Sequence, residues 1–143
     1  MRICFVCLGN ICRSPMAMFI MKDKVKRLGI SDKFHIESRA TSYEEEGNDM
    51  YPPAKSMLDS KNVFYTRHYA KRLEESDYDK FDLFVCMEDA NIRNVSYIFE
   101  DKNNKVIKLL DRNISDPWYT GDFLSTYNDL VEGIDRLIEK YNI

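Results

Sequence analysis

Short apolar runs alternate along this chain with segments of helical period, and that alternation leaves few architectures open. Arg2 to Cys7 (RICFVC) is apolar over too few residues for a helix and reads as a buried strand. Met16, Phe19, Ile20, Val25 and Leu28 then recur at helical spacing, and Gly29 ends that helix. Lys33 to Ala40 reads as a second strand, Phe81 to Met87 as a third and Lys105 to Leu110 as a fourth. Helices are expected over about 53–61, 89–99 and 122–141; the last puts Leu130, Val131, Ile134, Leu137, Ile138 and Tyr141 on one face. Buried strands joined through helices predict one α/β domain over residues 1–143: a four-stranded, parallel, twisted sheet with helices on both faces. In such sheets ligands bind beyond the carboxyl ends of the strands. The first strand ends at Cys7, so the loop Leu8 to Arg13 falls in that crevice.

Charge and cysteine usage narrow the functional classes. Net charge is −3, which argues against a nucleic-acid binder, since displacing counterions from phosphates needs a basic excess. A small anionic substrate stays open, because one local positive site suffices. No run approaches the roughly 18–20 apolar residues of a membrane span, so no membrane partner is expected. The apolar start is too short for a secretory signal, which makes the cytoplasm the expected compartment. Of the four cysteines, Cys4, Cys7, Cys12 and Cys86, three crowd into the first twelve residues. That is a poor disulfide framework and, in a reducing compartment, points to chemistry. With only two histidines, His35 and His68, neither a structural zinc nor any other cofactor is expected.

The chemistry gathers in Cys7-Leu8-Gly9-Asn10-Ile11-Cys12-Arg13-Ser14. Gly9 and Asn10 tolerate left-handed backbone, so the loop can curl. A curled loop turns successive amides inward as an anion nest. Ser14 is expected to cap the helix that follows, with Pro15 in its first turn, and the helix adds its positive end. Arg13 brings a planar fork matched to two phosphate oxygens. Cys7 sits at the mouth of this field, which favours thiolate over thiol, whose ordinary pKa is about 8.5. The expected product is a nucleophile facing a bound phosphate. Cys4, by contrast, reads as a small core residue, and Cys86 as core of the third strand.

Transfer of phosphate to a thiolate expels an oxyanion, which a general acid must protonate. Asp116, in Ser115-Asp116-Pro117-Trp118-Tyr119, is the candidate. Pro117 stiffens its loop, and Trp118 and Tyr119 offer flat apolar surfaces to a substrate ring.

These residues, CLGNICRSPMA at the start and DPWY near the end, resemble the low-molecular-weight protein tyrosine phosphatases over essentially the whole chain. The resemblance implies a metal-free hydrolase that takes phosphate from a phosphotyrosine-containing protein or peptide, and from small aryl phosphates, and releases inorganic phosphate. It implies a phosphocysteine on Cys7 and a phosphate held by Arg13 and the amides from Leu8 to Arg13. Asp116 would protonate the leaving phenol and then activate water. Asn10 would brace the loop, Ser14 would hydrogen-bond the Cys7 thiolate, and Ser38 and His68 would tether Asn10. Cys12 matches a loop cysteine able to form a reversible disulfide with the nucleophile. Tyr43 to Glu46 match a variable loop flanking the pocket, making Tyr43, Trp118 and Tyr119 its expected rim. Met18, Arg67 and Trp118 depart from the usual acidic residue, glycine and tyrosine of the family.

Other readings stay open on the same residues. An arsenate reductase shares the loop but needs further cysteines, and Cys86 stands in a strand without a partner. A protein-arginine phosphatase tends to carry Thr where Ile11 stands. A non-catalytic phosphate-binding module would need neither Cys7 nor Asp116.

Overall fold

The structure, a computed structural model, describes residues 1–142. Strands β1 (Arg2–Cys7), β2 (His35–Ala40), β3 (Leu83–Cys86) and β4 (Val106–Lys108) pair in parallel in the order β2-β1-β3-β4. The helices are α1 (Arg13–Arg27), α2 (Pro52–Ser60), α3 (Asp89–Ser96), α4 (Pro117–Thr120) and α5 (Phe123–Tyr141). The expected four-stranded sheet is present; β1 spans the residues expected, while β2, β3 and β4 are shorter than the segments read for them. A 3₁₀ turn at Ser31–Lys33 delays β2, and Asp101 takes the Lys105 and Val106 amides before β4 begins.

Side-chain alternation explains the layers. Ile3, Phe5 and Cys7 of β1, with Leu83, Val85 and Met87 at β3, join the large cluster under α1, α2 and α5. Cys4 and Val6, with Phe84 and Cys86, face the smaller cluster, where Val95 of α3 and Phe99 pack. Cys4 and Cys7, though three residues apart, therefore lie on opposite faces of the sheet and cannot share a metal ion. On α5, Leu130, Ile134, Leu137 and Ile138 are buried as expected. Gly133 allows α5 to close on the sheet: a Cβ there would stand 2.4 Å from Leu109 Cγ.

This order fixes where a site can form. The chain steps from β1 outward to β2, then returns to place β3 on the other side of β1. The switch point lies between the carboxyl ends of β1 and β3, where no connection covers the crevice. Cys7, the segment after Met87 and the Ile114–Asp116 stretch all converge there. No helix among the described residues is long and apolar enough to cross a membrane.

Candidate active site

The loop after β1 is turned inside out. Its carbonyls are taken by surrounding protein: Thr41 N donates to Cys7 O at 3.0 Å, Ser42 N to Leu8 O at 3.1 Å and Tyr51 N to Ile11 O at 2.9 Å. His68 Nε2 donates to Asn10 O at 2.8 Å, and Met16 N to Cys12 O at 3.0 Å. The amides of Gly9 to Cys12 have no protein acceptor among the described residues, and line a cavity of about 70 Å³ instead. Asn10 makes the curl, in the left-handed region at φ 60°. Gly9 is not left-handed; its bare Cα lets the Glu45 side chain pack close by, with Cγ 3.5 Å from where a Cβ would stand.

Cys7 is 3% exposed at the floor of this cavity. Ser14 serves it twice: the hydroxyl lies 3.0 Å from Sγ, and the backbone N–H donates to Sγ at 3.4 Å. Asn10 Nδ2 donates to Ser14 Oγ at 2.7 Å, which fills an oxygen lone pair and leaves the Ser14 proton to turn toward sulfur. The expected capping role of Ser14 is not seen. Arg13 opens the helix, Cys12 is its N-cap without a side-chain bond, and Ser14 is spent on Cys7. The uncapped helix start keeps its positive end for the cavity.

Asn10 is the keystone of the loop. Besides Ser14, its Nδ2 donates to Ser38 Oγ at 2.9 Å, and its Oδ1 accepts from Lys71 N at 3.1 Å. A carbonyl only accepts, so His68 carries its proton on Nε2 where it meets Asn10 O. Burial holds His68 below the ordinary histidine value, against the opposing pull of the Asn10 bond, so the ring is neutral at pH 7. Ser38 and His68 thus both hydrogen-bond Asn10.

Arg13 is buried, and its guanidinium joins the two sides of the crevice. Nη1 donates to Glu88 and, at 2.8 Å, to Ile114 O; Nη2 reaches Asp116 Oδ2 at 3.4 Å. Burial pulls its pKa down, but Cys7, Glu88 and Asp116 outweigh that and hold it above the ordinary value. Asp116 also caps α4, accepting from Trp118 N at 3.0 Å. Glu88 and Tyr51 escaped the sequence reading. Glu88 stands at the end of β3, on the switch point, and its position in the strand order was the signal that could have found it. Tyr51 carried none: its amide holds Ile11, and its ring packs on Trp118 at 4.6 Å between centroids.

The walls of the cavity are Asp116, Trp118, Tyr119, Glu44 and Glu45. Tyr43 is not among them. Arg72 lies over its ring at 4.6 Å from the centroid, which turns Tyr43 aside and leaves the variable loop to contribute its carboxylates. Cys12 lies in the loop with its thiol raised by burial and by neighbouring Cys7; burial pushes Cys86 up to about 12. No cluster of three metal-ligating side chains occurs among the described residues.

Comparison with known proteins agrees with this geometry. The family model for low molecular weight phosphotyrosine protein phosphatase matches residues 2–142. The chain belongs to that family. Low molecular weight protein-tyrosine-phosphatase PtpA of Staphylococcus aureus is 32% identical over 143 residues, covering 96% of this chain and 91% of its own. Low molecular weight phosphotyrosine protein phosphatase of Schizosaccharomyces pombe is 32% identical, covering 92% and 90%. Among solved structures, the low molecular weight protein tyrosine phosphatase SP-PTP of Streptococcus pyogenes superposes with a TM-score of 0.90 at 36% identity, over 98% of this chain and 92% of that one. YfkJ of Bacillus subtilis reaches 0.95 at 29%, over 99% and 94%. As a phosphatase of this family, the chain places its inward-turned loop at the end of β1.

Proposed function

We propose that this phosphatase hydrolyses phosphotyrosine through a phosphocysteine on Cys7, with Asp116 as general acid and then general base. The observation that carries the reading is the inverted loop: carbonyls tied outward, amides of Gly9 to Cys12 turned to the cavity, and the Cys7 sulfur at their centre. Such a ring holds three phosphoryl oxygens in a low-dielectric site and stabilises the charge of the transition state. Arg13 adds the bidentate fork. The Cys7 thiolate attacks phosphorus, the P–O bond to the phenol breaks, and Asp116 gives its proton to the leaving oxygen. Water then attacks phosphorus, Asp116 takes its proton, the S–P bond breaks, and phosphate leaves with Cys7 again a thiolate. Ser14, fed by Asn10, hydrogen-bonds that thiolate in both half-reactions.

Trp118 and Tyr119 as walls support a flat aromatic leaving group. Burial raises the Cys4, Cys12 and Cys86 thiols, which opposes the relay of thiolates that an arsenate reductase requires. The decisive experiment is hydrolysis of para-nitrophenyl phosphate in the presence of EDTA, with a panel of phosphotyrosine, phosphoserine and phosphoarginine peptides. Metal-independent turnover, preference for phosphotyrosine and loss on the order of 10⁴-fold or more in Cys7→Ser are expected. Activity retained by Cys7→Ser, or abolished by EDTA, would refute the mechanism; preference for phosphoarginine would refute the substrate.

A further inference from the structure

The face that α5 buries is made of Phe, Leu, Ile and one Gly, with a single polar side chain among them: Thr126, which is 2% exposed. A hydroxyl enclosed in this way has to find an acceptor. Thr126 Oγ1 lies 3.2 Å from Ser115 O and 3.3 Å from Asp122 O. It has one proton to give, and the two carbonyls compete for it. Asp122 O, one turn back, already accepts from Thr126 N at 3.4 Å, the ordinary bond of a helix. Ser115 O has no other donor among the described residues, so the proton does more there.

Ser115 precedes Asp116, so this bond falls on the peptide that carries the carboxyl. Upstream, Ile114 is fixed through both its backbone groups: its N–H donates to Met87 O at 2.9 Å, and its carbonyl accepts from Arg13 Nη1 at 2.8 Å. Downstream, Asp116 O accepts from Tyr119 N at 3.1 Å and Thr120 N at 3.2 Å, and the Pro117 ring fixes φ. The Ser115–Asp116 peptide lies between these anchors. Asp116 N–H has no acceptor among the described residues, so the Thr126 bond to Ser115 O is the one hold on that plane. The hydroxyl itself stands on a rigid support. Asp122 starts α5 by accepting from Ser125 N at 3.0 Å and Ser125 Oγ at 2.7 Å, and Phe123 is buried in the large cluster.

We propose that Thr126 aims the general acid: its hydroxyl fixes the Ser115–Asp116 peptide and so keeps the Asp116 carboxyl in reach of the leaving oxygen. A peptide plane free to rotate would swing the Asp116 side chain with it, and a catalytic group displaced by about 1 Å can lose rate on the order of 10²-fold. Thr126 does not line the catalytic cavity. It is a positioning residue, and its role rests on Asp116 being the acid. It makes no contact with the phosphate loop, so phosphate binding does not depend on it. Valine has nearly the shape of threonine, and Ser115 is exposed, so water can take up its carbonyl when the hydroxyl is removed.

The test compares kcat/KM, which covers the steps up to departure of the phenol, for phenyl phosphate and para-nitrophenyl phosphate. Phenol is the poor leaving group and needs the proton; para-nitrophenol needs little. In Thr126→Val, kcat/KM for phenyl phosphate is expected to fall about five- to thirtyfold, and that for para-nitrophenyl phosphate by no more than about twofold. Inhibition by inorganic phosphate, which reads the loop side, should stay within about twofold of wild type. Thr126→Ser restores the hydroxyl and is expected to recover most of the loss. Thr126→Ala, which removes the hydroxyl and the bulk together, makes the same prediction as Thr126→Val. In an Asp116→Ala background, Thr126→Val is expected to add nothing. An equal fall on both substrates, no fall in either Thr126→Val or Thr126→Ala, no recovery in Thr126→Ser, or a further loss in the Asp116→Ala background overturns the proposal. If Asp116→Ala alone spares phenyl phosphate, the acid reading falls and Thr126 falls with it. If Asp116→Ala is selective for the poor leaving group and Thr126→Val is not, Thr126 alone falls.

Discussion

The two sides of the catalytic crevice are held with very different grip. The phosphate loop is anchored from all around: Thr41, Ser42, Tyr51 and His68 each hold one of its carbonyls, and Asn10 adds bonds to Ser14, Ser38 and Lys71. The opposite side is the four-residue helix α4 after Asp116, whose Trp118 is 50% and Tyr119 77% exposed. Its ties to the loop side are the 3.4 Å pairing of Asp116 with Arg13 and the Trp118–Tyr51 ring contact. The difference assigns the labour. The amides and the sulfur are organised during folding and need no rearrangement at the moment of reaction. On the proposed mechanism the acid stands on the lightly tied side. On that mechanism, a bound phosphate would compete with Asp116 for Arg13 Nη2, 3.4 Å from its carboxylate, and free the carboxyl toward the leaving group.

Asp116→Ala is the largest blow to the loose side. Turnover of substrates with poor leaving groups is expected to fall by roughly 10²–10⁴-fold, and much less for para-nitrophenyl phosphate, whose leaving group needs little protonation. An equal fall for both would show that Asp116 acts on the loop through Arg13 and not on the leaving oxygen. Asn10→Ala strikes the tight side. It orphans groups on Ser14, Ser38 and Lys71 and forces alanine into φ 60°. A loss of about 2–4 kcal/mol of stability by urea unfolding is expected, with kcat down roughly 10²-fold. Asn10→Gly separates the two effects, since it relieves the backbone but not the lost bonds: stability recovers in part and kcat does not.

Legibility followed the same divide. Strand, loop and helix announced the phosphate loop because consecutive residues carry it: Cys7, Arg13 and Ser14 share one turn of chain, and the apolar run before them fixes its place in the sheet. Asp116 was singled out through Pro117, and it stands 3.4 Å from Arg13. What the sequence hid lay in the tertiary closures. Glu88 meets Arg13 across 75 residues and Tyr51 meets Trp118 across the cavity, with no local spacing to betray either. The helix α4 is shorter than two helical turns, so no periodicity could reveal it. Tyr43 was misplaced because its fate was decided by Arg72, a neighbour only in the folded chain.

The grip on the tight side has a charged support that acid should undo. Asp49 accepts from His68 N at 2.9 Å and Met50 N at 2.7 Å, and pairs with Lys55 and Arg67. Burial would raise its pKa, but these partners prevail and hold it at about 2. A carboxylate depressed on folding adds stability that is full above its unfolded value, near 4, and is lost as pH falls through about 2. The expected contribution, after solvent screening, is about 1 kcal/mol. In Asp49→Asn, stability measured from pH 5 to pH 2 should fall less steeply than in wild type. An unchanged slope would remove Asp49 as a support of the His68 segment.

Trp118→Ala is the mildest intervention, and the one that most sharpens the contrast. Trp118 is half in solvent, tied to the loop side by the Tyr51 ring, and forms one wall of the cavity. If α4 is the adaptable side, removing that wall weakens the hold on a substrate ring without disturbing the amides that stabilise the transition state. KM for an aryl phosphate should rise about three- to tenfold, the range of a single aromatic contact, while kcat stays within about twofold. A fall in kcat with KM unmoved would mean that Trp118 positions Asp116, and that α4 is as much a fixed part of the machinery as the loop it faces. Tyr51→Leu decides between these, because it loosens Trp118 without altering the wall itself: the KM effect should shrink, whereas a positioning role would carry the kcat effect over intact.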